Sequence, residues 1–212
     1  MKLIIISDTH GEYKKLINLP KGDVLIYAGD ISTYGEKIEF KDFNVWLGKQ
    51  GHKHKIVIAG NHDKYLSTVG EFEIGNLLSN CTYLENDGVE INGVKFWGSP
   101  ITPTFLNWYF MADRGEEIRK YWDLIPDDTN VLITHGPAYG ILDKVDPRYG
   151  EGSIGCEELW ERIKKLEKLK LHCFGHIHGS YGFYKREGLQ FINASLMNED
   201  YELVNKPIEV EI

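Results

Sequence analysis

The sequence is poor in cysteine, and the three cysteines present argue against the usual thiol-based sites. Cys81, Cys156 and Cys173 are far apart and form no Cys-x-x-Cys pair. This pattern disfavours a disulfide framework and a structural zinc site built from thiolates. A reducing cytoplasm is therefore the expected setting.

Long apolar runs and an excess of basic residues are also missing. The run Leu3 to Ile6 is too short for a signal-peptide core or a membrane span, so we expect no membrane contact. The formal net charge is −8, which gives no general attraction to nucleic acid or to anionic lipid. With 212 residues, 42% of them hydrophobic, the chain is expected to fold as one domain over residues 1–212.

Short apolar runs are present, and they end in residues capable of metal or proton chemistry. The clearest run is Lys55 to Ala59, which is followed by Gly60, Asn61, His62 and Asp63. Consecutive β-branched residues predict a strand buried on both faces, and open α/β sheets place ligands at the carboxyl ends of such strands. A plain turn at Gly-Asn explains this stretch equally well when it is taken alone.

Four further predicted strands end in the same way. They are Lys2–Ser7 before Asp8 and His10, Val24–Ala28 before Asp30, Asn130–Thr134 before His135, and Leu171–Phe174 before His176 and His178. One such ending is weak evidence, since an Asp at the first of them is more often a helix cap. Five endings that together hold five of the eight histidines indicate one shared site.

The donor types of this shared site suit transition metals. Imidazole with carboxylate and amide oxygen is typical of Mn, Fe, Zn or Ni sites. Seven candidate ligands are too many for one ion and suit two, provided that one carboxylate bridges them. Asp30 is the natural bridge because it stands alone at its strand end.

The remaining segments predict helices between the strands and a second sheet. The predicted helices are Glu12–Leu19, Glu36–Lys49, Phe72–Leu78, Gly115–Leu124 and Cys156–Leu169. Two alternating runs around Asn92-Gly93 predict a hairpin. The segments Gly182–Lys185, Leu189–Asn193 and Ile208–Ile212 predict a second sheet completed by the C-terminus.

Three histidines lie away from the strand ends. His52 and His54 lie in a Lys-rich connection without an acidic partner, so we interpret them as solvated loop residues. His172 lies inside an apolar strand, where a packed core residue is the more common role.

Taken in order, the motifs resemble those of calcineurin-like metallophosphoesterases. The matching residues are Asp8-x-His10, Gly29-Asp30, Gly60-Asn61-His62-Asp63, His135 and Gly175-His176-x-His178. The resemblance implies an α/β (α+β) fold, in which a two-sheet β-sandwich is flanked by helices in four αββα layers. It also implies two metal ions about 3.5–4 Å apart.

Residue roles follow from the same resemblance. One metal would be held by Asp8, His10, Asp30 and His178, and the other by Asp30, Asn61, His135 and His176. His62 would face the substrate phosphate, oriented by Asp63, and would protonate the leaving oxygen. A hydroxide bridging the two metals would attack phosphorus. Mn²⁺ or an Fe/Mn pair is expected, with Zn, Ni or Mg as alternatives.

A narrower resemblance is to the metallophosphoesterase-domain-containing subgroup. Ile56 to His62, Thr134 to Pro137 and Asn193 to Ser195 are similar to it. The subgroup implies hydrolysis of cyclic nucleotides, with either 2′,3′- or 3′,5′-cyclic phosphates. Some of its members lack the first histidine of the Gly-His-x-His motif, which this chain keeps as His176. The segment Ile31 to Gly35 lacks the acidic-Arg pair of protein Ser/Thr phosphatases, so a phosphoprotein substrate is disfavoured.

Two other functions are compatible with parts of the pattern. One is a nucleotide-binding regulatory protein with low residual activity, which the intact ligand set disfavours. The other is a metal-dependent nuclease, which the acidic net charge disfavours. The aromatic stretch Phe105–Phe110 either packs the core or a subunit contact, or stacks on a substrate base through Trp108. The expected substrate is a small phosphoester or a nucleotide, and both a monomer and a homodimer are open.

Overall fold

The computed structural model describes residues 1–149 and 152–212, and strands make up most of the regular structure there. In chain order the strands are β1 (Lys2–Ile6), β2 (Val24–Ala28), β3 (His54–Ile58), β4 (Thr82–Tyr83), β5 (Asp87–Ile91), β6 (Val94–Ser99), β7 (Thr102–Pro103), β8 (Met111–Ala112), β9 (Val131–Thr134), β10 (Leu171–Phe174), β11 (Gly182–Arg186), β12 (Leu189–Asn193) and β13 (Ile208–Glu211). The α-helices of the described residues are α1 (Lys37–Gly48), α2 (Glu71–Leu77), α3 (Glu116–Trp122) and α4 (Glu157–Ile163).

The strands form two main sheets that pack on each other. The first has the order β13-β1-β2-β3-β4 and the second the order β11-β12-β10-β9-β6-β5, while β7 and β8 form a small separate pair. One apolar cluster joins the sheets, with Ile5 and Ile26 from the first and Ile133 and Cys173 from the second. Two more clusters lie on the outer faces, under α1 and α2 on one side and under α3 and α4 on the other.

These layers confirm the predicted αββα sandwich and explain the continuous apolar runs. In β1, Leu3 and Ile5 face the cluster between the sheets, whereas Ile4 and Ile6 face the cluster under the helices. A strand covered on both faces has no solvent side, so its sequence does not alternate between apolar and polar residues.

Parallel pairing places the functional strand ends at one edge. β1, β2 and β3 are mutually parallel, and so are β6, β9, β10 and β12. An isolated parallel bridge between Ser7 and Ser195 links the strand ends of the two sheets. The carboxyl ends of both parallel sets therefore meet where the sheets come together.

Several local predictions are confirmed. The hairpin β5–β6 turns at Asn92 and Gly93, whose φ angles of 50° and 78° fit a two-residue turn with left-handed backbone at both positions. His172 is fully buried and packs against Phe174 and Phe191, as predicted for a core residue.

The C-terminal strand was assigned to the wrong sheet by its sequence. β13 does not complete the second sheet, because it pairs antiparallel with β1, with Lys2 opposite Glu211. Its alternating pattern is that of an edge strand, which fits either sheet equally well. The pairing depends on which sheet edge the C-terminal segment reaches. In the structure it lies beside β1, where the Met1 amino group donates a hydrogen bond to the Ile212 carbonyl.

The solvated-loop interpretation of His52 and His54 is also wrong. His52 is 7% exposed, and its Nε2 lies 2.9 Å from the Pro20 carbonyl oxygen. His54 is half-buried and begins β3. A backbone partner 32 residues away leaves no local signal in the sequence.

Two predicted helices are shorter than expected. The segment Glu12–Leu19 forms only a 3-10 turn over Glu12–Lys15, in which Tyr13 alone is buried, so there is no apolar stripe to hold a longer helix. The helix predicted to reach Leu169 ends at Ile163. Among the described residues, no helix is both long enough and apolar enough to cross a bilayer.

Candidate metal centre

The predicted ligands lie together at the shared edge of the two sheets. Four of them, Asp8, His10, Asp30 and His176, have left-handed backbone with φ between 41° and 69°. Non-glycine residues seldom adopt this conformation, and clusters of such residues are typical of functional sites. The turns that follow the strands thus aim the side chains back across the sheet edge.

One group of donors comes from both sheets. The Nε2 atoms of His10 and His178 are 3.3 Å apart, and Nε2 of His178 is 3.5 Å from Oδ1 of Asp8. The ligand atoms of these three residues all lie within 4.8 Å of one another. They correspond to three of the four residues predicted for the first metal.

A second group lies beside it. Nε2 of His135 is 2.9 Å from Oδ1 of Asn61 and 3.3 Å from Oδ2 of Asp30. The ligand atoms of Asp30, His135 and His176 are also within 4.8 Å of one another. With Asn61, these are the four residues predicted for the second metal.

Asp30 lies between the two groups. Its Oδ2 is 3.3 Å from Nε2 of His135 and 3.8 Å from Nε2 of His10. Its Oδ1 accepts a hydrogen bond of 2.8 Å from the backbone N–H of His62. One carboxylate therefore faces a histidine of each group while the His62 amide fixes its orientation.

The donor set fits divalent cations. Nδ1 of His178 lies 2.9 Å from the Asn198 carbonyl oxygen, and Nδ1 of His135 lies 3.0 Å from the Ala28 carbonyl oxygen. A carbonyl can only accept, so each Nδ1 carries a proton and Nε2 is the ring atom left to bind an ion once its own proton is lost. Ligand atoms about 2.1 Å from one ion lie about 3 Å apart at right angles, close to the separations found here.

Electrostatics in the site follows from buried carboxylates beside histidines. Burial lowers the pKa of His135, but the Asp30 carboxylate outweighs burial and raises it to about 9. Burial raises the pKa of Asp8, yet the hydrogen bond and charge of His178 hold it below its usual range. For His10, burial dominates over Asp30 and lowers the pKa to about 4. The carboxylates thus favour positive charge at this edge, whether it is a proton or a metal ion.

His62 lies beside the ligand groups, half-buried, with its ring centroid 4.5 Å from that of His10. Its Nδ1 is 3.4 Å from the carbonyl oxygen of Thr33. His10, Asp30 and His62 also form a third group of donors within 4.8 Å. His62 can therefore reach a molecule bound at the centre or serve as a ligand itself.

The prediction that Asp63 orients His62 stays a prediction, and the structure turns the Asp63 carboxylate toward the neighbouring backbone. The carboxylate of Asp63 accepts hydrogen bonds from the backbone N–H groups of Ile31, Ser32 and Gly60 and from the Ser32 hydroxyl. Asp63 thereby ties the turn after β2 to the turn after β3. It acts on the position of His62 through the backbone and not through the imidazole.

One polar partner in the centre was missed. Ser195 Oγ donates a hydrogen bond of 2.6 Å to Oδ2 of Asp8, and the Asp8 oxygens also accept from the His176 N–H at 3.0 Å. Ser195 follows β12, a sixth strand that ends at the same edge. The signal was present in the order of the strands, but a serine has no metal preference that would single it out.

A cavity of about 680 Å³ opens over the centre, and aromatic side chains line it. Phe105 contacts His176 at a ring-centroid distance of 5.1 Å, and Tyr201 contacts His10 at 4.9 Å and His178 at 5.2 Å. Trp108 stacks on His62. Phe105 and Trp108 of the aromatic stretch thus line the cavity, whereas Phe110 packs against the apolar clusters under the helices.

Comparisons with known proteins agree with this geometry. The family model for calcineurin-like phosphoesterases matches residues 1–180. The sequence is 36% identical to metallophosphoesterase domain-containing protein 1 of Homo sapiens, covering 100% of this chain and 71% of that protein. It is also 36% identical to a UPF0046 protein of Caenorhabditis elegans, covering 98% of this chain and 74% of that protein. A solved structure of 17% sequence identity has the same fold, with a TM-score of 0.66 over 91% of this chain and 89% of that one.

Proposed function

We infer the reaction from the premise that the chain belongs to the calcineurin-like phosphoesterase family and is a metal-dependent phosphoesterase. We propose that it hydrolyses small phosphodiesters at a centre of two metal ions. Cyclic nucleotides with 2′,3′- or 3′,5′-phosphates are the proposed substrates. Mn²⁺, alone or with Fe, is the proposed metal.

The position of Asp30 carries the two-metal proposal. Its Oδ2 lies within 4 Å of a histidine from each donor group, at 3.3 Å from His135 and 3.8 Å from His10. A single ion would need only one of these groups. We assign Asp8, His10, Asp30 and His178 to one ion, and Asp30, Asn61, His135 and His176 to the other.

Residues of the protein supply the protonation and the positioning that the reaction also needs. When bound, the metals neutralise phosphate oxygens and lower the pKa of water. His62 lies outside both assigned ligand sets and faces the cavity, so it can protonate the oxygen that leaves phosphorus. The bond from the His62 N–H to Asp30 holds these two residues in a fixed relation, and Asp63 fixes the turn that carries His62 by accepting from the Gly60 N–H.

The cavity supports a nucleotide-sized substrate. Its volume exceeds what a bare phosphate diester needs, and Phe105, Leu106 and Trp108 line it with apolar surface. We propose that residues 1–212 act as one catalytic domain, because both sheets contribute donors. A cytoplasmic setting is supported by the free thiols of Cys81, Cys156 and Cys173.

The test is a hydrolysis assay on metal-free protein supplied with Mn²⁺. We expect turnover of bis-p-nitrophenyl phosphate and of 2′,3′- or 3′,5′-cyclic AMP, and no turnover without metal. Tight nucleotide binding without turnover would instead indicate a regulatory protein. Faster cleavage of single-stranded RNA or DNA than of either cyclic nucleotide would indicate a nuclease.

A further inference from the structure

The ring of His62 has few contacts that fix its rotation. Its one hydrogen-bond partner among the described residues, the Thr33 carbonyl oxygen, lies at 3.4 Å from Nδ1, which is long for a hydrogen bond. Rotation about the bond to a histidine ring is broad and nearly two-fold. The Thr33 contact alone is therefore a weak restraint on the direction in which Nε2 points.

Trp108 supplies the missing restraint. Its ring centroid is 4.2 Å from that of His62, with 29° between the planes, so the two rings stack. On another side, His10 meets the His62 ring edge-on at 4.5 Å with 76° between the planes. With the Trp108 ring on its face and the His10 ring at its edge, the His62 ring is restricted to one orientation. If it rotated, its atoms would collide with the indole.

The loop that carries Trp108 is anchored to the same turn as His62. Residues 104–110, called the 104–110 loop here, connect β7 to β8 and are closed at the base by bonds of 2.9 Å from Thr102 N to Phe110 O and 3.0 Å from Thr104 N to Ala112 O. Near the tip, the Tyr109 N–H lies 3.4 Å from the Asn61 carbonyl oxygen. Trp108 is therefore held next to His62, because Tyr109, its neighbour in the chain, contacts Asn61, the neighbour of His62.

We propose that Trp108 is a positioning residue for His62 and not primarily a platform for a substrate base. The indole holds the imidazole in the plane from which it protonates the leaving oxygen. This inference rests on the proposed role of His62. It predicts that loss of the indole harms the reaction most where protonation of the leaving group matters most.

A double-mutant cycle tests the proposal on two diesters of equal charge. Bis-p-nitrophenyl phosphate has a good leaving group, whereas diphenyl phosphate has a poor one. We expect Trp108→Leu to lower kcat on diphenyl phosphate about tenfold, within the range that a small misplacement of a catalytic group causes, and to affect bis-p-nitrophenyl phosphate less. In a His62→Ala background, Trp108→Leu should change kcat by less than about twofold. With His62 present, Trp108→Phe keeps an aromatic ring and should therefore lower kcat less than Trp108→Leu does.

A second readout does not depend on activity. In metal-free protein, the ring protons of His62 lie against the indole face, so their NMR signals should be shifted upfield. Trp108→Leu should remove that shift. The matched control is Trp160→Leu on α4, because Trp160 is also partly exposed but is not part of the cavity lining, and it should leave both the shift and kcat unchanged.

The outcomes separate this inference from the proposed function. An equal loss from Trp108→Leu with and without His62 would overturn the positioning role. A raised KM for cyclic nucleotides with unchanged kcat on diphenyl phosphate would overturn it in favour of base stacking. Hydrolysis of neither diester by the metal-loaded wild type would refute the proposed function, while the His62 resonances would still decide whether Trp108 holds the ring.

Discussion

Substitution of Gly60 by alanine probes how tightly the strand ends are packed around Asp30. A Cβ built on Gly60 would lie 2.5 Å from the Asp30 backbone nitrogen and 2.6 Å from Cε1 of His135, and it would also collide with an Asp30 carboxylate oxygen. A backbone atom and a fully buried ring cannot move aside freely. Overpacking of this kind costs about 1–3 kcal/mol.

That penalty has two measurable consequences. For a chain of this size 1 kcal/mol changes Tm by about 2–4 °C, so Gly60→Ala should lower Tm by roughly 2–12 °C. Because the collision falls on Asp30 and His135, Mn²⁺ binding should weaken in the same variant. Calorimetry gives Tm, and titration of metal-free protein gives the metal affinity.

Gly75→Ala is the matched control, since it adds the same methyl group elsewhere. Gly75 lies within α2, is exposed, and a Cβ there would meet nothing within 4 Å. Alanine in a helix is more stable than glycine by about 0.5–1 kcal/mol, so Tm should rise slightly while Mn²⁺ affinity stays unchanged. Wild-type Tm and metal affinity in Gly60→Ala would refute the close packing described for the turn after β3.

Two further predictions concern histidines inside and outside the centre. His62→Ala should retain both metals but lower the rate about 10²–10⁴-fold on substrates with poor leaving groups, with a smaller loss on bis-p-nitrophenyl phosphate; equal losses on both would point to phosphate binding and not to proton transfer. Burial lowers the pKa of His172 from 6.5 to about 3. As pH falls, the unfolded chain therefore takes up a proton at this residue before the folded protein does. The stability that the neutral ring contributes is complete above pH 6.5 and is lost as pH falls toward 3. Urea unfolding gives the free energy of unfolding at about pH 7 and at about pH 5. Between these pH values the wild type should lose about 2 kcal/mol more of this free energy than His172→Gln. An identical loss in both proteins would mean that His172 is not the group responsible.

The assembly of the centre was accessible from the sequence because of one geometric rule, whereas the αββα fold followed from the family resemblance. Parallel strands end at one edge, so polar residues after each apolar run, such as Asp8, Asp30 and His135, had to meet there. The structure brings the predicted ligands together in this way. Their roles toward metal ions stay predictions.

Other features depend on contacts that leave no local pattern. The pairing of β13 with β1 depends on which sheet edge the chain reaches, and the burial of His52 depends on the Pro20 carbonyl. Asp63 follows His62 in sequence but turns its carboxylate to the backbone of Ile31 and Ser32, because those buried N–H groups need an acceptor. Similarly, the hydrogen bond of Ser195 to Asp8 joins residues 187 positions apart.

We propose that Asp30 joins two metal ions in one centre. The direct measurement is the number of Mn²⁺ ions bound per chain, determined by elemental analysis after equilibrium dialysis, for the wild type and for Asp30→Asn. We predict two ions in the wild type and a loss of both, together with activity, in Asp30→Asn, because the amide keeps the size of the side chain but removes the charge that both ions share. A single ion in the wild type, or two ions with normal turnover in Asp30→Asn, would rule out Asp30 as a ligand shared by two ions.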